Sequence, residues 1–305
     1  MKMKNRVYGV VGIKSVMSNW NADFTGRPKT ISNGDIFGSD KAFKYPIKRM
    51  WQAQGEKVVY IKSYKIEKNK LQPNDLNEQY TKVFGTKLDK NTPSLEVLKN
   101  LFSAVDVMNF GATFAEQGQN ISITGAVQVG QGMNKYEETN VETQDILSPF
   151  RNPSKEDADA SSLGTKIIAD EAHYFYPFSV NPHNYDDFLN LGIEGFEGYT
   201  VEAYEKFKKG CLIAATAYNT NSKCGCENEF AIFIKVKENS LLYLANLDTY
   251  IEFSKKDGKN YIDLTKLAQL LSSKMAEIED IEIYYNSIDT EVGLAGLTCK
   301  TYPLY

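Results

Sequence analysis

The segment GIKSVMSNWNADFTGRPKT, residues 12–30, combines side chains suited to binding a chain of phosphates. Lysine and arginine can neutralise phosphates, hydroxyl and amide groups can bond phosphate or sugar oxygens, and an indole can stack on a base or a ribose. The side chains of these types are Lys14, Ser15, Asn19, Trp20, Asn21, Arg27 and Lys29. Two interpretations stay open from these residues alone: the segment binds a polyanion, or Trp20 packs over a sheet edge and the loop is only solvated.

Positive charge is concentrated near the amino end of a chain that is acidic overall. The 305 residues carry a formal net charge of -4. Residues 1–70 hold 15 Lys and Arg against 5 Asp and Glu, whereas the remaining 235 residues hold 20 against 34. A basic patch of this kind commonly marks contact with a polyanion, and the alternative is a solvated lysine-rich face.

The elements beside this segment decide where its side chains point. Residues 6–17 predict a strand that ends at the loop, and a helix of uncertain start follows within SDKAFKYPIKRMWQAQ. Pro46 favours a start at that residue, because proline is costly inside a helix and favourable at its first position. Three polar side chains then lie near one another on the helix: Lys48, Arg49 and Gln52. Lys41 and Lys44 would belong to the preceding loop.

The rest of the chain predicts an α+β fold. KVVYIKSYKI, DVMNFGATFA, NISITGAVQVG, GTKIIADEAHYFYPFSV and EFAIFIKV favour strands, and TPSLEVLKNLFSAVD and YTVEAYEKFKKGCLIAATAY favour helices. Without the insertions the order is strand, helix, two strands, helix, strand, which is the ferredoxin-like arrangement of RNA-recognition modules. The aromatic signature of those modules is absent.

Several classes of catalytic site are not favoured. The chain contains no G-x-x-x-x-G-K-[ST] phosphate loop and no G-x-S-x-G nucleophile motif. Its two histidines have no nucleophile partner in sequence and no metal-ligand spacing to the four cysteines. The sequence therefore favours binding over turnover, with no catalytic residue, no metal and no cofactor expected.

One enzymatic alternative stays open. Asp23, Asp35 and Asp40 could hold Mg²⁺ for phosphodiester cleavage. They alternate with Gly and Asn as turn-forming residues do, so the turn role is favoured.

The expected location is the cytoplasm. No apolar stretch reaches the roughly 18 residues of a membrane span, and the start lacks the cleavage site of a signal peptide. The cysteines are then expected to be free thiols.

Several segments together resemble one family. The start RVYGVVGIKSVMSNWNADFTGRPKT is similar to that of the backbone subunit of type I CRISPR interference complexes, the Cas-seven family, in its subtype I-B branch called Csh-two. DVMNFGATFA and ITGAVQVGQGMN resemble that branch's D-V-x-x-F-G-A and I-T-G-P-V-Q segments, with Ala126 in place of the proline. GTKIIADEAHYFYPFSVNP and NSKCGCENEFAIFIKV resemble its later segments, so that the resemblance covers most of residues 1–240.

The resemblance implies an architecture and partners. It implies one elaborated domain, 1–305, shaped like a right hand. Its ferredoxin-like (RRM-like) palm would comprise about 1–59, 104–129 and 164–236, with fingers at about 60–103, a thumb at about 130–163 and a carboxyl-terminal extension at 237–305. Copies of the family stack head to tail on a guide RNA that pairs with target DNA. The implied partners are that guide, the target strand, further copies of the chain and the large, small and guide-end-capping subunits of the complex, without a membrane.

The resemblance also implies which residues meet the guide. The first group is the loop set given above, Lys14 to Lys29, and the second is Lys44, Lys48, Arg49 and Gln52. By analogy Phe110, Gln128 and Gln131 line the later strands, and Met133 is either an apolar wedge at the base of the thumb or a core residue. Because a guide varies in sequence, the expected contacts are to phosphate and ribose rather than to base edges.

Overall fold

The chain contains both β-strands and α-helices and is a mixed α+β protein. The computed structural model describes residues 1–147 and 163–304. The strands are β1 (Val7–Ser18), β2 (Phe37–Gly38), β3 (Tyr64–Glu67), β4 (Lys70–Pro73), β5 (Gly111–Phe114), β6 (Ile121–Thr124), β7 (Val127–Val129), β8 (Gly132–Asn134), β9 (Val141–Leu147), β10 (Leu163–Val180), β11 (Cys226–Val236), β12 (Glu252–Lys256), β13 (Lys259–Asp263), β14 (Ile278–Tyr285), β15 (Thr290–Gly293) and β16 (Lys300–Pro303). The α-helices are α1 (Asp40–Ala53), α2 (Leu76–Phe84), α3 (Ser94–Phe102), α4 (Val105–Phe110), α5 (Val201–Ala217) and α6 (Thr265–Leu271), and short 3₁₀ helices span Pro182–Phe188, Leu247–Tyr250 and Met275–Glu277.

β1 lies in the middle of the main sheet, which contains nine strands within the described residues. The strand order is β16-β14-β11-β1-β10-β8-β2, and β7 and β9 also pair with β10. β1 is antiparallel to both of its neighbours, β10 and β11. The strand predicted over residues 6–17 is confirmed.

Both faces of β1 are buried from Val7 to Ile13, whereas Val16 and Met17 near its end are exposed. Val7 and Val11 belong to the apolar cluster that contains the inner residues of α1 and α5. Tyr8 and Val10 belong to a second cluster, formed with the carboxyl-terminal third of the chain. Because successive side chains of a strand point to opposite faces, a strand covered on both sides has a continuous apolar sequence, as VYGVVGI does.

α1 begins earlier than the sequence predicts. Ser39 caps it by accepting a hydrogen bond from the Ala42 amide, so the helix starts at Asp40 and contains Pro46 in its interior. Phe43, Ile47 and Trp51 are buried along one side of the helix. The cap and this apolar face outweigh the cost of an interior proline, which is about 3 kcal/mol. Lys41 and Lys44, predicted in a loop, therefore lie on the helix.

Two predicted strands are wrong in part. Within KVVYIKSYKI only the end, from Tyr64, forms a strand, and Val58 and Val59 are buried in irregular backbone. Within DVMNFGATFA the first residues form α4, and β5 starts only at Gly111. Short buried apolar runs fit helix and strand equally well by pattern, and here tertiary packing decides between them.

Two glycines of the motifs DVMNFGATFA and ITGAVQVG allow two backbone segments to approach closely. Gly111 has a φ of +77°, and a Cβ added there would lie 2.1 Å from the Ile123 carbonyl oxygen. A Cβ on Gly125 would lie 2.2 Å from the Phe110 carbonyl carbon. The close approach fixes the start of β5 against the end of β6.

The carboxyl-terminal third covers the sheet face that carries Tyr8 and Val10. Its strands β12, β13 and β15 form a separate small sheet. His173 of β10 links the two layers, because its buried ring stacks on Phe253 of β12 at a centroid distance of 3.9 Å. Its ring nitrogens lie 2.8 Å from a Glu229 carboxylate oxygen and 3.1 Å from one of Glu171.

The proposed fingers and thumb remain predictions. Residues 60–103 contain β3, β4, α2 and α3. The segment 130–163 contains β8 and β9, but its residues 148–162 lie outside the described residues. In the part of the chain that the structure describes, no helix is both long and apolar enough to span a membrane.

Candidate nucleic-acid interface

The loop of residues 19–36, which joins β1 to β2, is anchored by its first residues. Asn19 and Trp20 are both buried. The Asn19 side-chain amide donates to the carbonyl oxygens of Gly26 within the loop and of Ile167 on β10, at 2.9 and 3.1 Å. The predicted contact of Asn19 with RNA is therefore corrected: its amide donors hold the loop instead.

Trp20 is a core residue. Its side chain is 1% exposed, and its indole nitrogen donates to the Tyr176 hydroxyl at 2.6 Å. Phe43 of α1 stacks on the same Tyr176 ring. The indole offers no free face, so the prediction that it stacks on a base or ribose is wrong and the alternative of packing against the sheet applies.

Lys14 and Ser15 leave β1 on opposite faces of the sheet. Ser15 is fully buried beside Ser18, with 2.7 Å between their hydroxyl oxygens. Lys14 points to the face covered by the carboxyl-terminal third, where its amine lies 2.5 Å from Glu227 and 2.8 Å from Asp289. Burial lowers the pKa of Lys14, but these carboxylates outweigh it and raise the pKa above its usual value. Neither side chain is free to meet a phosphate, and both predictions are corrected.

The outer part of the loop keeps its cations available. Arg27 is exposed and Lys29 is half-buried. The Asn21 side-chain oxygen accepts from the Ser39 amide at 2.8 Å, and the Phe37 amide donates to the Lys29 carbonyl at 2.9 Å. These bonds hold the loop against the amino end of α1, so Arg27 and Lys29 lie on a loop that is fixed to this helix.

The loop aspartates bond to their own turns. The Asp23 carboxylate accepts hydrogen bonds from the Thr25 hydroxyl and from the amides of Thr25 and Arg27, and these bonds lower its pKa. Asp35 accepts from the Asn33 side chain at 2.8 Å. Among the described residues no group of three or more His, Cys, Asp or Glu side chains is arranged to hold a metal ion.

α1 presents a basic stripe, formed by Lys41, Lys44, Lys48 and Arg49. At 100° per residue these side chains span about 140° of the helix circumference, with Lys44 beside the buried Trp51 and Lys41 and Arg49 on the outer side. Arg49 is exposed and donates to the Gln52 side chain at 2.7 Å. Of the second predicted group, Arg49 and Gln52 are exposed, whereas Lys44 and Lys48 are half-buried and the Lys44 amine lies 2.9 Å from Asp40.

Two lysines of the stripe lie over an aromatic ring. The amines of Lys44 and Lys48 lie 5.2 and 5.7 Å from the centre of the Phe110 ring, which is within the range of a cation–π contact. Phe110 in turn stacks on Trp51, at 5.6 Å between centroids. The structure therefore brings Phe110 into contact with Lys44 and Lys48, although Phe110 is distant from both lysines in sequence.

Lys48 is also bonded to backbone and lies beside an acid. It donates to the Tyr60 carbonyl at 3.2 Å and lies 3.8 Å from Asp106, whose carboxylate accepts from the amides of Val59 and Tyr60. Burial lowers the pKa of Lys48, and Asp106 opposes that shift. Asp106 was not predicted, because its partners lie 46 and 47 residues away in sequence.

The remaining predicted residues lie on β7 and β8 or directly beside them. Gln128 and Gln131 are exposed, and the Gln128 amide donates to the Gly125 carbonyl at 2.8 Å. Met133 is half-buried on β8, opposite Phe37 of β2. β8 pairs with β2, and β2 leads directly into α1, so this edge adjoins the start of the helix.

Lys223 is half-buried at the start of the 19–36 loop. Its amine donates to the carbonyl oxygens of Asn19, at 2.7 Å, and of Trp20, and it lies 5.3 Å from the centre of the Trp20 ring. Burial lowers the pKa of Lys223 to about 8. No pattern in the sequence points to this residue, because its contacts span more than 200 positions.

One comparison with known proteins shows the family, and another shows a similar fold. The sequence matches the family model described as CRISPR-associated protein Cas7 over residues 5–284. It is similar to a solved chain described as "CRISPR RNA-guided surveillance complex", with a TM-score of 0.53, 15% identity and coverage of 96% of this chain and 94% of that chain. A second, described as "CRISPR RNA-guided surveillance complex, pre-nicking", gives a TM-score of 0.55 and 14% identity over 98% and 96% of the two chains. At these identities the likeness concerns the fold. The comparison with curated proteins found no match.

The lowered pKa of Lys223 predicts a pH dependence of stability. Between about pH 8 and about pH 10 the unfolded state keeps a proton on this lysine that the folded state has lost, so the free energy of unfolding rises with pH. The contribution over this window is on the order of 3 kcal/mol. Urea unfolding of the wild type and of Lys223→Met at a series of pH values measures it, with Lys237→Met, an exposed lysine, as the control.

We expect the free energy of unfolding of the wild type, minus that of Lys223→Met, to increase as pH rises. The same quantity for the wild type minus Lys237→Met should stay constant. Tyrosine ionisation affects all three proteins equally and cancels. Parallel curves for Lys223→Met and wild type would contradict the assignment.

Proposed function

Because the chain belongs to the Cas7 family of CRISPR-associated proteins, we propose that it is the guide-RNA-binding backbone subunit of a type I-B surveillance complex. The observation that carries this proposal is the family match over residues 5–284, and the fold likeness to chains of RNA-guided surveillance complexes supports it. The subtype rests on the segments that resemble the Csh-two branch.

The topology supports a ferredoxin-like palm. In the centre of the sheet the order is β11-β1-β10, with β7 and β8 on the outer side of β10. α1 follows β1 and α5 follows β10, and the buried residues of both helices belong to the same apolar cluster. This is the order expected when strands one and three of a βαββαβ unit are central.

The guide is proposed to lie along the basic stripe of α1 and the outer part of the 19–36 loop. Arg27 and Arg49 are exposed, and Lys29 lies on the loop that is bonded to the amino end of α1. Gln128 on β7 and Gln131 just before β8 are proposed to continue this surface. Contacts of this kind reach phosphate and ribose, so the proposed grip is independent of guide sequence.

The basic stripe can be tested with exposed residues alone. Replacement of Lys41 and Arg49 by Ala removes two cations without touching Lys48, which is bonded to the Tyr60 carbonyl. We expect affinity for single-stranded RNA to fall about tenfold for unrelated sequences alike, and the slope of log affinity against log salt to become shallower by about 1.4. Filter binding or anisotropy at several salt concentrations measures both.

The matched control is Lys237→Ala with Lys259→Ala, two exposed lysines away from the stripe. This pair makes the same change in net charge. If the control weakens binding as much as the stripe variant does, the guide does not lie on α1.

We further propose that copies of the chain assemble head to tail along the guide. A heterologous interface of this type gives an open array whose length the RNA sets. Mass photometry of the chain with guides of increasing length should show masses rising in steps of one 34.4 kDa subunit plus RNA. A large assembly without nucleic acid would support instead a purely protein-binding oligomer, and a constant mass would rule out guide-templated growth.

The subunit is proposed to be non-enzymatic. The competing function is a metal-dependent endoribonuclease that uses Asp23 or Asp35, but both carboxylates accept hydrogen bonds from their own turns. We expect complementary RNA to stay intact when the assembled complex is incubated with Mg²⁺, as followed on a denaturing gel. Cleavage at regular intervals that disappears in Asp23→Ala or Asp35→Ala would establish the enzyme.

A further inference from the structure

We propose that Lys223 is a positioning residue that sets the geometry of the 19–36 loop for RNA binding. The inference rests on the proposed function, because the loop matters to the guide only if the chain binds one. It concerns a lysine that acts through the backbone of the loop rather than by contact with phosphate.

The first observation is the pair of carbonyls that Lys223 holds. The Lys223 ammonium group can only donate hydrogen bonds, and it donates to the carbonyl oxygens of both Asn19 and Trp20. In a strand successive carbonyls point to opposite sides, so two neighbouring carbonyls can meet one amine only where the chain has left strand geometry. β1 ends at Ser18, immediately before this pair. The contact therefore fixes the direction in which the loop leaves the sheet.

The second observation is how the segment that carries Lys223 is anchored to β1. Residues 218–225 connect α5 to β11, and they are bonded to the end of β1 at two points. The Val16 amide donates to the Gly225 carbonyl and the Asn19 amide to the Ser222 carbonyl, both at 2.9 Å. A Cβ on Gly225 would lie 2.2 Å from the Val16 carbonyl oxygen, so the two backbones touch.

The third observation is the environment of the amine. Within residues 1–147 and 163–304, no carboxylate lies within 4.0 Å of it. Its partners are the two carbonyl dipoles and the face of Trp20, at 5.3 Å from the ring centre. Lys14, by contrast, is neutralised by two acids. The Lys223 amine thus binds the backbone at the root of the loop and has no carboxylate partner within 4.0 Å among the described residues.

These contacts connect the root of the loop to the RNA surface. Trp20 packs through Tyr176 against Phe43 of α1, and Asn21, the next residue, bonds to the Ser39 amide at the start of the same helix. A change at the root therefore alters the position of Arg27 and Lys29 relative to the basic stripe. A loop that is not held must be ordered when RNA binds, which costs conformational entropy.

The experiment compares Lys223→Met, which keeps length and apolar packing, with Lys223→Arg, which keeps the donors. Guide RNA affinity is measured over a range of salt, and hydrogen exchange is measured on the 19–36 loop. We expect Lys223→Met to lose about tenfold in affinity with an unchanged salt slope, and its loop amides to exchange faster. Lys223→Arg should bind within about threefold of wild type, because the guanidinium can donate to the same carbonyls. Lys237→Met serves as the charge-matched control.

Each other outcome overturns the inference. A salt slope shallower by about 0.7 in Lys223→Met would make Lys223 a direct phosphate contact. Unchanged affinity, or faster loop exchange without loss of affinity, would show that the position of the loop does not matter for binding.

Wild-type protein provides a test that does not depend on the folding of a variant. Acetylation of surface lysines is followed by mass spectrometry with and without guide RNA. RNA should protect Lys41 and leave the reactivity of Lys223 unchanged, whereas strong protection of Lys223 by RNA would count against a positioning role. If wild type shows no salt-dependent RNA binding at all, the proposed function fails, while binding by both wild type and Lys223→Met with equal affinity removes only this inference.

Discussion

The burial of β1 on both faces is the constraint on which the rest of the structure depends. Its antiparallel pairing with β10 and β11 places it in the middle of the main sheet, between the helices on one side and the carboxyl-terminal third on the other. Because side chains alternate along a strand, neighbouring residues such as Lys14 and Ser15 are directed into two different layers. The polar side chains Lys14 and Ser15 inside β1 therefore serve these layers, and the exposed cations lie beyond the end of the strand.

This constraint divides the amino-terminal cations into two kinds. Lys14 is neutralised by Glu227 and Asp289 and helps to join the sheet to the carboxyl-terminal third. Arg27 and Arg49 are exposed, and they lie on the loop after β1 and on the helix that follows it. A count of net charge includes both kinds of cation equally, but only the exposed cations create a positive potential at the surface.

The loop and α1 act as a unit because buried aromatic residues connect them. Trp20, Tyr176 and Phe43 form a continuous contact from the root of the loop to the inner face of the helix. Gly38 lies against this group, where a Cβ would come within 1.8 Å of the Tyr176 hydroxyl. A tryptophan in a polar, basic segment is thus explained by packing. In the proposed function its contribution is to position the cations around it.

The sequence by itself determined the α+β class, the strand of residues 6–17, the concentration of basic residues near the amino end and, through its motifs, the family. These features follow from local patterns: apolar runs, charge along the chain and short motifs such as FGA and TGA, whose glycines permit a close approach of two backbone segments. The proximity of Lys48, Arg49 and Gln52 on one helix was also predictable, because helical spacing is local. The start of α1 was not, since Pro46 pointed to a later start than the Ser39 cap and the buried Phe43 produce.

Only the tertiary structure decided which of these side chains are free. Whether Trp20 stacks on a ligand or on the core depends on Tyr176, 156 residues away, and whether Lys14 is available depends on Asp289, 275 residues away. Lys223, which lies at the root of the loop, has no local signal at all. Burial and charge compensation are set by neighbours in space, and sequence patterns report only neighbours along the chain.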